Sequence, residues 1–159
     1  MALNIIYRGK NNPAPTFLKA PIDLEDELNR KDHFIVKDGV TCAGTHVIID
    51  LWDATELDSL EAMEAAMREA VEVCGATLLH IHLHHFTPNG GVSGVAVLAE
   101  SHISVHSWPE RGFAAFDVFM CGDAKPELAV DVFRKHFNPR RVEVHQHLRG
   151  TVGSSNGTV

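Results

Sequence analysis

The chain alternates between segments with the two-residue period of strands and segments with the longer period of helices. β-Branched and aromatic residues cluster over residues 45–52, which predicts a largely buried strand. Over residues 60–74, apolar side chains recur at steps of three and four, the spacing of an amphipathic helix. Asp58 or Ser59 supplies the expected N-terminal cap, and Gly75 supplies a left-handed stop.

Strands dominate the rest of the pattern, with one more helix before the last of them. Pro126 is a suitable first residue for this second helix, which is expected to continue to Phe137 and to end at Asn138. Turn-forming residues separate most of the apolar segments. The further strands are predicted over residues 77–86, 92–100, 101–108, 113–121 and 141–148.

The order of these elements predicts an α+β fold built as a two-layer sandwich. Short turns between neighbouring strands favour a largely antiparallel sheet, and we expect both main helices to cover one of its faces. The other face must stay wet or meet another surface, and a second copy of the chain is the simplest cover. We therefore expect a homodimer with an αββα arrangement, or a higher homo-oligomer.

Composition divides the chain into three parts. Residues 1–40 are polar, contain Pro13 and Pro15, and show no sustained period, so we treat them as an N-terminal extension in which residues 23–30 form at most a short helix. Residues 41–150 form the one expected domain. Residues 151–159 are rich in Gly, Ser and Thr and are predicted to be a disordered tail.

Charge and hydropathy exclude two classes of partner. Lys and Arg number 14 against 21 Asp and Glu, which leaves a net charge of −7, and the basic residues form no stripe of the kind that nucleic acids require. No apolar run reaches the length of about 18 residues that spans a membrane, and the N-terminus lacks the apolar stretch of a secretory signal. We therefore expect a cytoplasmic protein that binds neither nucleic acid nor membrane.

The cysteines and histidines raise the question of metal binding. Three cysteines without a CxxC pair indicate neither a disulfide framework nor a Cys-type zinc site. Eleven histidines are many for this length, and His80, His82 and His84 fall on one side of a predicted strand. Three imidazoles at this spacing can approach one metal ion, but a polar sheet face or a dimer contact is the simpler explanation, so we predict no metal. The other side of that strand is expected to carry Leu79, Ile81, Leu83 and His85.

Nucleophiles and bases are concentrated in residues 91–121, which invites comparison with hydrolases that use a Ser and His pair. Ser101 lies in the sequence Glu-Ser-His, however, and not in a G-x-S-x-G elbow between a strand and a helix. An esterase-type triad is therefore not supported.

The same block resembles the core of the prokaryotic S-adenosylmethionine decarboxylase proenzymes, a pyruvoyl-dependent family. The resemblance is strongest over residues 91–122, which read GVSGVAVLAESHISVHSWPERGFAAFDVFMCG. It continues over residues 44–54, 75–88 and 142–150, so it extends over most of the expected domain. The ESH, HSWPE and final CG elements, at these spacings, make the signal specific.

The resemblance implies that the chain cuts its own backbone between Glu100 and Ser101. The Ser101 hydroxyl attacks the carbonyl of Glu100 to give an ester, and β-elimination followed by loss of ammonia leaves a pyruvoyl group at position 101. This covalent cofactor forms a Schiff base with the substrate amine, so no metal or pyridoxal is needed. The implied reaction converts S-adenosylmethionine to its decarboxylated form, the aminopropyl donor of spermidine biosynthesis.

Roles for further residues follow from the same resemblance. His106 is expected to be the base for the elimination, Ser93 to hydrogen-bond near the ester, and Cys121 to donate the proton that replaces carbon dioxide. Without the resemblance, Ser93 is a turn-end serine, His106 a satisfied strand histidine and Cys121 a small buried residue. His102 either lines the site or packs in the sheet.

Substrate binding is expected to use Phe86 and Trp108 as flat apolar surfaces for adenine, with Glu110 accepting hydrogen bonds from the ribose hydroxyls. Each of the three also has a purely structural reading, as an aromatic residue at a strand end or an acid in a turn. The family forms its sites between protomers, which agrees with the dimer expected from the open sheet face.

The sequence departs from the family in three places. Residues 89–91 include one more residue between Phe86 and Ser93 than many relatives have, Ser107 replaces the usual Thr before Trp-Pro-Glu, and the N-terminal extension lies outside the resemblance. Two other functions stay open. One is decarboxylation of arginine or ornithine by the same pyruvoyl chemistry, and the other is a non-catalytic metal-binding or regulatory domain.

Overall fold

The structure is a computed structural model that describes residues 5–7 and 34–152. Within these residues the chain forms a seven-stranded sheet, a two-stranded hairpin and two α-helices. The helices are α1 (Leu60–Val73) and α2 (Ala129–Phe137). The strands are β1 (Ile5–Tyr7), β2 (Ile35–Lys37), β3 (Val40–Cys42), β4 (Gly44–Trp52), β5 (Leu78–His85), β6 (Val92–Leu98), β7 (Ser101–Trp108), β8 (Phe113–Met120) and β9 (Arg141–Arg149).

The large sheet runs in the order β1-β9-β4-β8-β7-β6-β5. Every neighbouring pair in it is antiparallel except β1 with β9. The four consecutive strands β5 to β8 lie side by side because short turns join them, as the sequence predicts. β2 and β3 pair with each other in a separate antiparallel hairpin.

One face of the sheet is buried under both helices. Leu51 of β4, Phe116 of β8 and Met67 of α1 are fully buried in this layer. Phe133 of α2 stacks on Phe116 with ring centroids 4.0 Å apart. Removal of this apolar surface from water is the main force that holds the helices on the sheet. The predicted two-layer α+β fold, with two helices on one face, is confirmed.

The other face is not covered by the helices and carries both polar and apolar side chains, and we call it the open face. Ile48, Asp50 and Asp117 lie on it among polar neighbours, and burial together with the nearby Glu143 carboxylate raises the pKa of Asp50. Many of the histidines lie on this face, because alternation along the strands points their side chains away from the buried layer. They are His46, His80, His82, His84, His102, His106, His145 and His147.

Both helices end close to the predicted positions. The Ser59 hydroxyl caps α1 by accepting a hydrogen bond from the Ala62 amide at 3.1 Å, and Gly75 has a φ of +75° just after the helix. Pro126 begins a separate 3₁₀ turn, Pro126–Leu128, so the α2 helix starts later than predicted. Asn138 ends α2 in the left-handed conformation, with a φ of 42°.

Two strand predictions need correction. A register shift between Leu78 and His80 breaks the alternation of β5, so Leu78 packs against the core and Leu79 is 64% exposed. The strand predicted to reach Glu100 ends at Leu98, because the chain turns there to enter β7.

The first and last segments of the chain contribute to the edges of the fold. β1 pairs in parallel with β9, and the domain boundary predicted at residue 40 falls inside the β2–β3 hairpin. The Val152 amide donates to the Thr41 carbonyl at 2.8 Å. The short helix predicted over residues 23–30 and the tail after residue 152 lie outside the described residues. Neither α1 nor α2 is long and apolar enough to cross a membrane.

Candidate active site

The predicted site residues separate into two groups at opposite ends of β7. Ser101 is the first residue of this strand, and the five residue steps from Ser101 to His106 span about 16 Å. We call the residues at the start of β7 the cleavage-end group, and they are Glu100, Ser101 and Cys121. We call the residues at the end of β7 the pocket-end group, and they are Phe86, Ser93, His106, Trp108 and Glu110.

The turn between β6 and β7 holds Glu100 in a left-handed backbone conformation, with a φ of 71°. This conformation costs a residue with a side chain roughly 1–3 kcal/mol, so it persists only where the surroundings impose it. The Ala99 amide fastens the turn by donating to the Thr77 carbonyl at 2.9 Å. The strained residue therefore directly precedes Ser101.

Cys121 contacts both sides of the Glu100–Ser101 peptide. β8 ends at Met120, and the next residue lies beside the start of β7. The Cys121 thiol donates to the Glu100 carbonyl oxygen at 3.1 Å, and its Sγ lies 3.6 Å from Ser101 Oγ. The Cys121 amide also donates to Ser101 Oγ at 3.3 Å. A hydroxyl, a carbonyl and a thiol thus meet at one peptide bond.

The surroundings of His102, beside this group, favour its neutral form. Burial lowers its pKa, the nearby His46 lowers it further, and Asp117 acts in the opposite direction. His46 Nε2 lies 3.1 Å from an Asp117 carboxylate oxygen, and the Ser104 hydroxyl donates to the other oxygen at 3.4 Å. No sequence pattern indicates this network, because its members come from three strands that only the sheet register brings together.

Ser93 and His106 form a direct pair at the pocket end. They face each other across β6 and β7 on the open face, and Ser93 Oγ lies 2.7 Å from His106 Nδ1. The pair can exchange a proton with a group that lies against the open face. The structure therefore brings these two predicted residues together, but it does not bring them to Ser101 of the same chain.

A pocket of about 230 Å³ opens next to this pair. Phe86 and Trp108 are 49% and 41% exposed there, although aromatic side chains of this size are usually covered. Glu110 follows in the turn after β7 and adds a carboxylate to the rim. Asn89 also lines the pocket and was not singled out as a binding residue from the sequence.

Ser107 stabilises the buried side of the pocket through its hydrogen bonds. Its buried hydroxyl donates to the Leu57 carbonyl at 2.8 Å and accepts from the Val92 amide at 2.8 Å. Gly91 passes so close that a Cβ there would lie 2.8 Å from the Ser107 carbonyl oxygen. The Ser107 hydroxyl therefore joins β6, β7 and the loop before α1.

Other candidate ligands and nucleophiles lie apart from these groups. His80, His82 and His84 are exposed on β5, and the described residues contain no group of three or more His, Cys, Asp or Glu side chains placed to hold a metal ion. Cys74 is buried, and burial raises the pKa of its thiol to about 11, which suits a packing residue.

Comparison with known proteins identifies the family. The sequence profile described as S-adenosylmethionine decarboxylase matches residues 45–150. A Thermomicrobium roseum protein named S-adenosylmethionine decarboxylase proenzyme is 49% identical over 110 residues, which cover 69% of this chain and 95% of that protein. A Methanococcus maripaludis protein of the same name is 46% identical over 112 residues, which cover 69% of this chain and 91% of that protein.

A solved structure agrees with these sequence matches. The crystal structure of the adenosylmethionine decarboxylase from Aquifex aeolicus superposes with a TM-score of 0.64 and 35% sequence identity, and the match covers 72% of this chain and 97% of that one. The resemblance inferred from the sequence motifs is confirmed. The chain belongs to the S-adenosylmethionine decarboxylase family of enzymes.

Proposed function

We propose that this chain cleaves itself between Glu100 and Ser101, gains a pyruvoyl group at position 101 and decarboxylates S-adenosylmethionine. One observation carries the proposal. The strained Glu100 presents its carbonyl oxygen to the Cys121 thiol at 3.1 Å, beside the Ser101 hydroxyl. A nucleophile, a strained carbonyl and a hydrogen-bond donor are what an acyl transfer within the backbone requires.

In the first step, Ser101 Oγ loses its proton and bonds to the carbonyl carbon of Glu100. The charge that develops on the Glu100 oxygen is stabilised by the Cys121 S–H, which already donates to that atom. When the C–N bond breaks, the nitrogen takes up a proton and becomes the amine of Ser101, while Glu100 stays attached as an ester. Release of the left-handed conformation of Glu100 favours this step.

The second step removes the Cα proton of Ser101 and releases Glu100 as a carboxylate, which leaves a dehydroalanine at position 101. Water adds to the imine form of this residue, and loss of ammonia leaves the pyruvoyl group. His106, paired with Ser93 at 2.7 Å, is the proposed base. Within one chain it lies about 16 Å along β7 from Ser101, which is too far for direct proton transfer. We therefore propose that it acts on the Ser101 of a second copy.

Two copies can form such composite sites by stacking their open faces. If the two β7 strands run antiparallel across the interface, the pocket end of one copy lies over the cleavage end of the other. Ser93 and His106 suit this arrangement because their side chains lie on the open face, whereas the neighbouring Val105 is buried on the other face of the sheet. A twofold axis then generates two equal sites, so the proposed assembly is an αββα homodimer.

A pyruvoyl group at position 101 supplies a carbonyl that binds a substrate amine and accepts the electrons left by departing carbon dioxide. The side chains around this position suit it. The Cys121 thiol is close enough to deliver a proton to a carbon held there, and the lowered pKa of His102 favours its neutral form. We propose Cys121 as the proton donor of the decarboxylation.

The shape and chemistry of the pocket favour an adenosyl substrate over arginine or ornithine. Phe86 and Trp108 offer two exposed aromatic faces, which suit a planar base better than a flexible aliphatic chain. Glu110 places a carboxylate at the rim, where it can accept hydrogen bonds from ribose hydroxyls. We propose these three residues as the binding site for the adenosine part.

The test combines mass with activity. Intact-mass spectrometry of the purified chain should show two fragments, residues 1–100 and 101–159, the second blocked to Edman degradation. Release of carbon dioxide should occur with S-adenosylmethionine and not with arginine or ornithine. Ser101→Ala should stay uncut and inactive, whereas Ser104→Ala, a matched change on the same strand, should still be cut.

Three results decide between the candidates. Release of carbon dioxide from arginine or ornithine alone would support the proposed self-cleavage but show that the proposed substrate is wrong. An uncut chain with an ordinary serine at position 101 would contradict the whole proposal. An uncut chain that carries stoichiometric zinc would favour a metal-binding domain instead.

A further inference from the structure

A row of four side chains crosses the open face at the pocket end of the sheet. Trp108 of β7 lies directly opposite Phe113 of β8. Phe113 lies opposite Trp52 of β4, which in turn lies opposite Arg141 of β9. We call these four residues the aromatic row. The strand register therefore aligns three rings and one guanidinium group across four neighbouring strands.

The side chains in the row contact one another face to face. The Trp108 and Phe113 rings have centroids 5.3 Å apart and planes inclined by 28°, and those of Phe113 and Trp52 are 4.4 Å apart at 32°. The Arg141 guanidinium carbon lies 4.8 Å from the centre of the Trp52 ring, within the range of a cation–π contact. An ion pair of 2.7 Å with Glu143 holds Arg141 in turn.

Trp108 uses only part of its surface in this row. Trp108 is 41% exposed and lines the pocket together with the exposed Phe86. An exposed tryptophan that rotates freely loses rotamer entropy when a ligand stacks on it, which weakens binding. The contact with Phe113 removes this freedom before the ligand arrives, so the row prepares the ring for stacking.

We propose that Phe113 is a positioning residue that holds the Trp108 ring in the orientation needed to stack on the adenine of the substrate, with Trp52 and Arg141 as its support. The inference rests on the proposed function. Phe113 acts through Trp108, so its loss affects binding and leaves the reaction at position 101 intact. Phe113→Leu should raise the KM for S-adenosylmethionine about three- to tenfold, the loss expected for one aromatic pair.

The two tryptophans of the chain provide a direct measurement. They are Trp52 and Trp108, so Trp52→Phe leaves Trp108 as the single tryptophan of the full-length protein. Adenosine serves as the probe, and quenching of Trp108 gives its Kd. Relative to this reference, added Phe113→Leu should raise the Kd about three- to tenfold and lower the fluorescence anisotropy of Trp108. Added Phe113→Tyr should restore both values, because it keeps the ring.

The outcomes separate positioning from a general structural effect. The inference would be overturned if adding Phe113→Leu to the Trp52→Phe reference left the Kd and the anisotropy unchanged. It would also be overturned if Phe113→Leu reduced self-cleavage or kcat as well as raising the KM. Absence of quenching by adenosine in the Trp52→Phe reference would overturn it too. The proposed function is decided separately, by carbon dioxide release from S-adenosylmethionine by the unaltered chain.

Discussion

Cys121 contacts the Glu100 carbonyl oxygen and lies within 3.6 Å of the Ser101 hydroxyl, so its thiol is close enough for both tasks that we propose for it. In the proposed self-cleavage it donates a hydrogen bond to a developing negative charge. In the proposed decarboxylation it transfers its proton to carbon. A hydroxyl can perform the first task but is far too weak an acid for the second, so substitution can separate the two roles.

We predict that Cys121→Ala slows self-cleavage by about two to three orders of magnitude, the usual effect of losing one donor to an oxyanion. Cys121→Ser keeps a donor, so it should cleave at a rate within about tenfold of the unaltered chain. Neither variant should release carbon dioxide efficiently once cut. Time courses of intact mass measure the first effect, and carbon dioxide release from the cleaved fraction measures the second. Rapid cleavage of Cys121→Ala would rule out the donor role.

At the scale of the elements, the sequence predicts the strands and helices well where one period dominates. Strands β4 and β8 lie where the sequence predicts strands, and the three- and four-residue steps of α1 are found in the structure. Predictions fail where a local hydrogen bond or irregularity competes with the pattern. The shift in β5 exposes Leu79, and the 3₁₀ turn that follows Pro126 delays the start of α2. In the sequence, neither feature interrupts the spacing of the apolar residues, so analysis of that spacing does not detect it.

The sequence predicts the individual residues of the candidate site. It does not predict that they separate into two groups at opposite ends of β7. Ser101 and His106 are near neighbours in sequence, which suggests one compact site. An extended strand separates them by about 16 Å instead, because each residue adds about 3.3 Å. The His46–Asp117 contact beside His102 was not predicted at all, since it depends on which strands become neighbours.

The junction held by Ser107 yields a stability prediction. Ser107→Ala leaves the buried Val92 amide and Leu57 carbonyl without their partner at 2.8 Å, which should lower the free energy of unfolding by about 1–3 kcal/mol. Ser107→Thr keeps the hydroxyl and should lose much less. Urea denaturation of both variants measures the difference. Equal losses for alanine and threonine would show that side-chain volume matters here and the hydroxyl does not.

The contact between α1 and α2 yields a pH prediction. Glu69 of α1 accepts hydrogen bonds of 2.7 Å from Lys135 and His136 of α2, and these bonds lower the pKa of its carboxyl below the ordinary 4.5. A lowered pKa means that the stabilisation is complete above the unfolded pKa and is lost as the pH falls through the folded one. Glu69→Gln should therefore be less stable than the unaltered chain near neutral pH.

The same prediction has an internal control in its pH dependence. Thermal unfolding of Glu69→Gln and of the unaltered chain should converge in acid, where the Glu69 carboxyl is protonated in both the folded and unfolded states. Glu64→Gln is a matched control, since Glu64 pairs with Arg68 within α1 and does not join the two helices. A difference that stays constant down to acid pH would exclude the ionised carboxyl as its source.

At the scale of the whole molecule, the two groups on β7 make the site a property of the dimer that we propose. In that dimer, each chain supplies the Glu100–Ser101 peptide and Cys121 to one site, and the Ser93–His106 pair with its pocket to the other. A variant damaged at the cleavage end and a variant damaged at the pocket end are therefore inactive for different reasons. One intact cleavage end and one intact pocket end remain when the two chains associate.

We predict that co-expression of Ser101→Ala with His106→Ala restores self-cleavage and activity, although each variant alone has neither. Random association makes about half of the dimers mixed, and each mixed dimer has one intact site of two, so about a quarter of the unaltered activity should return. Mass spectrometry should show that only the chain carrying His106→Ala is cut. Sedimentation of the mixture should give the mass of a dimer.

The matched control pairs two variants from the same end. Ser101→Ala and Cys121→Ala both damage the cleavage end, so in their mixed dimer Ser101 always lies in the chain that lacks the thiol, and activity should not return. Recovery in this control would mean that the thiol is supplied across the interface and the two groups are assigned to the wrong copies. No recovery with Ser101→Ala and His106→Ala, in a mixture shown to contain mixed dimers, would require Ser101 and His106 to meet within one chain. That arrangement is incompatible with an extended β7, because the strand keeps the two residues at opposite ends.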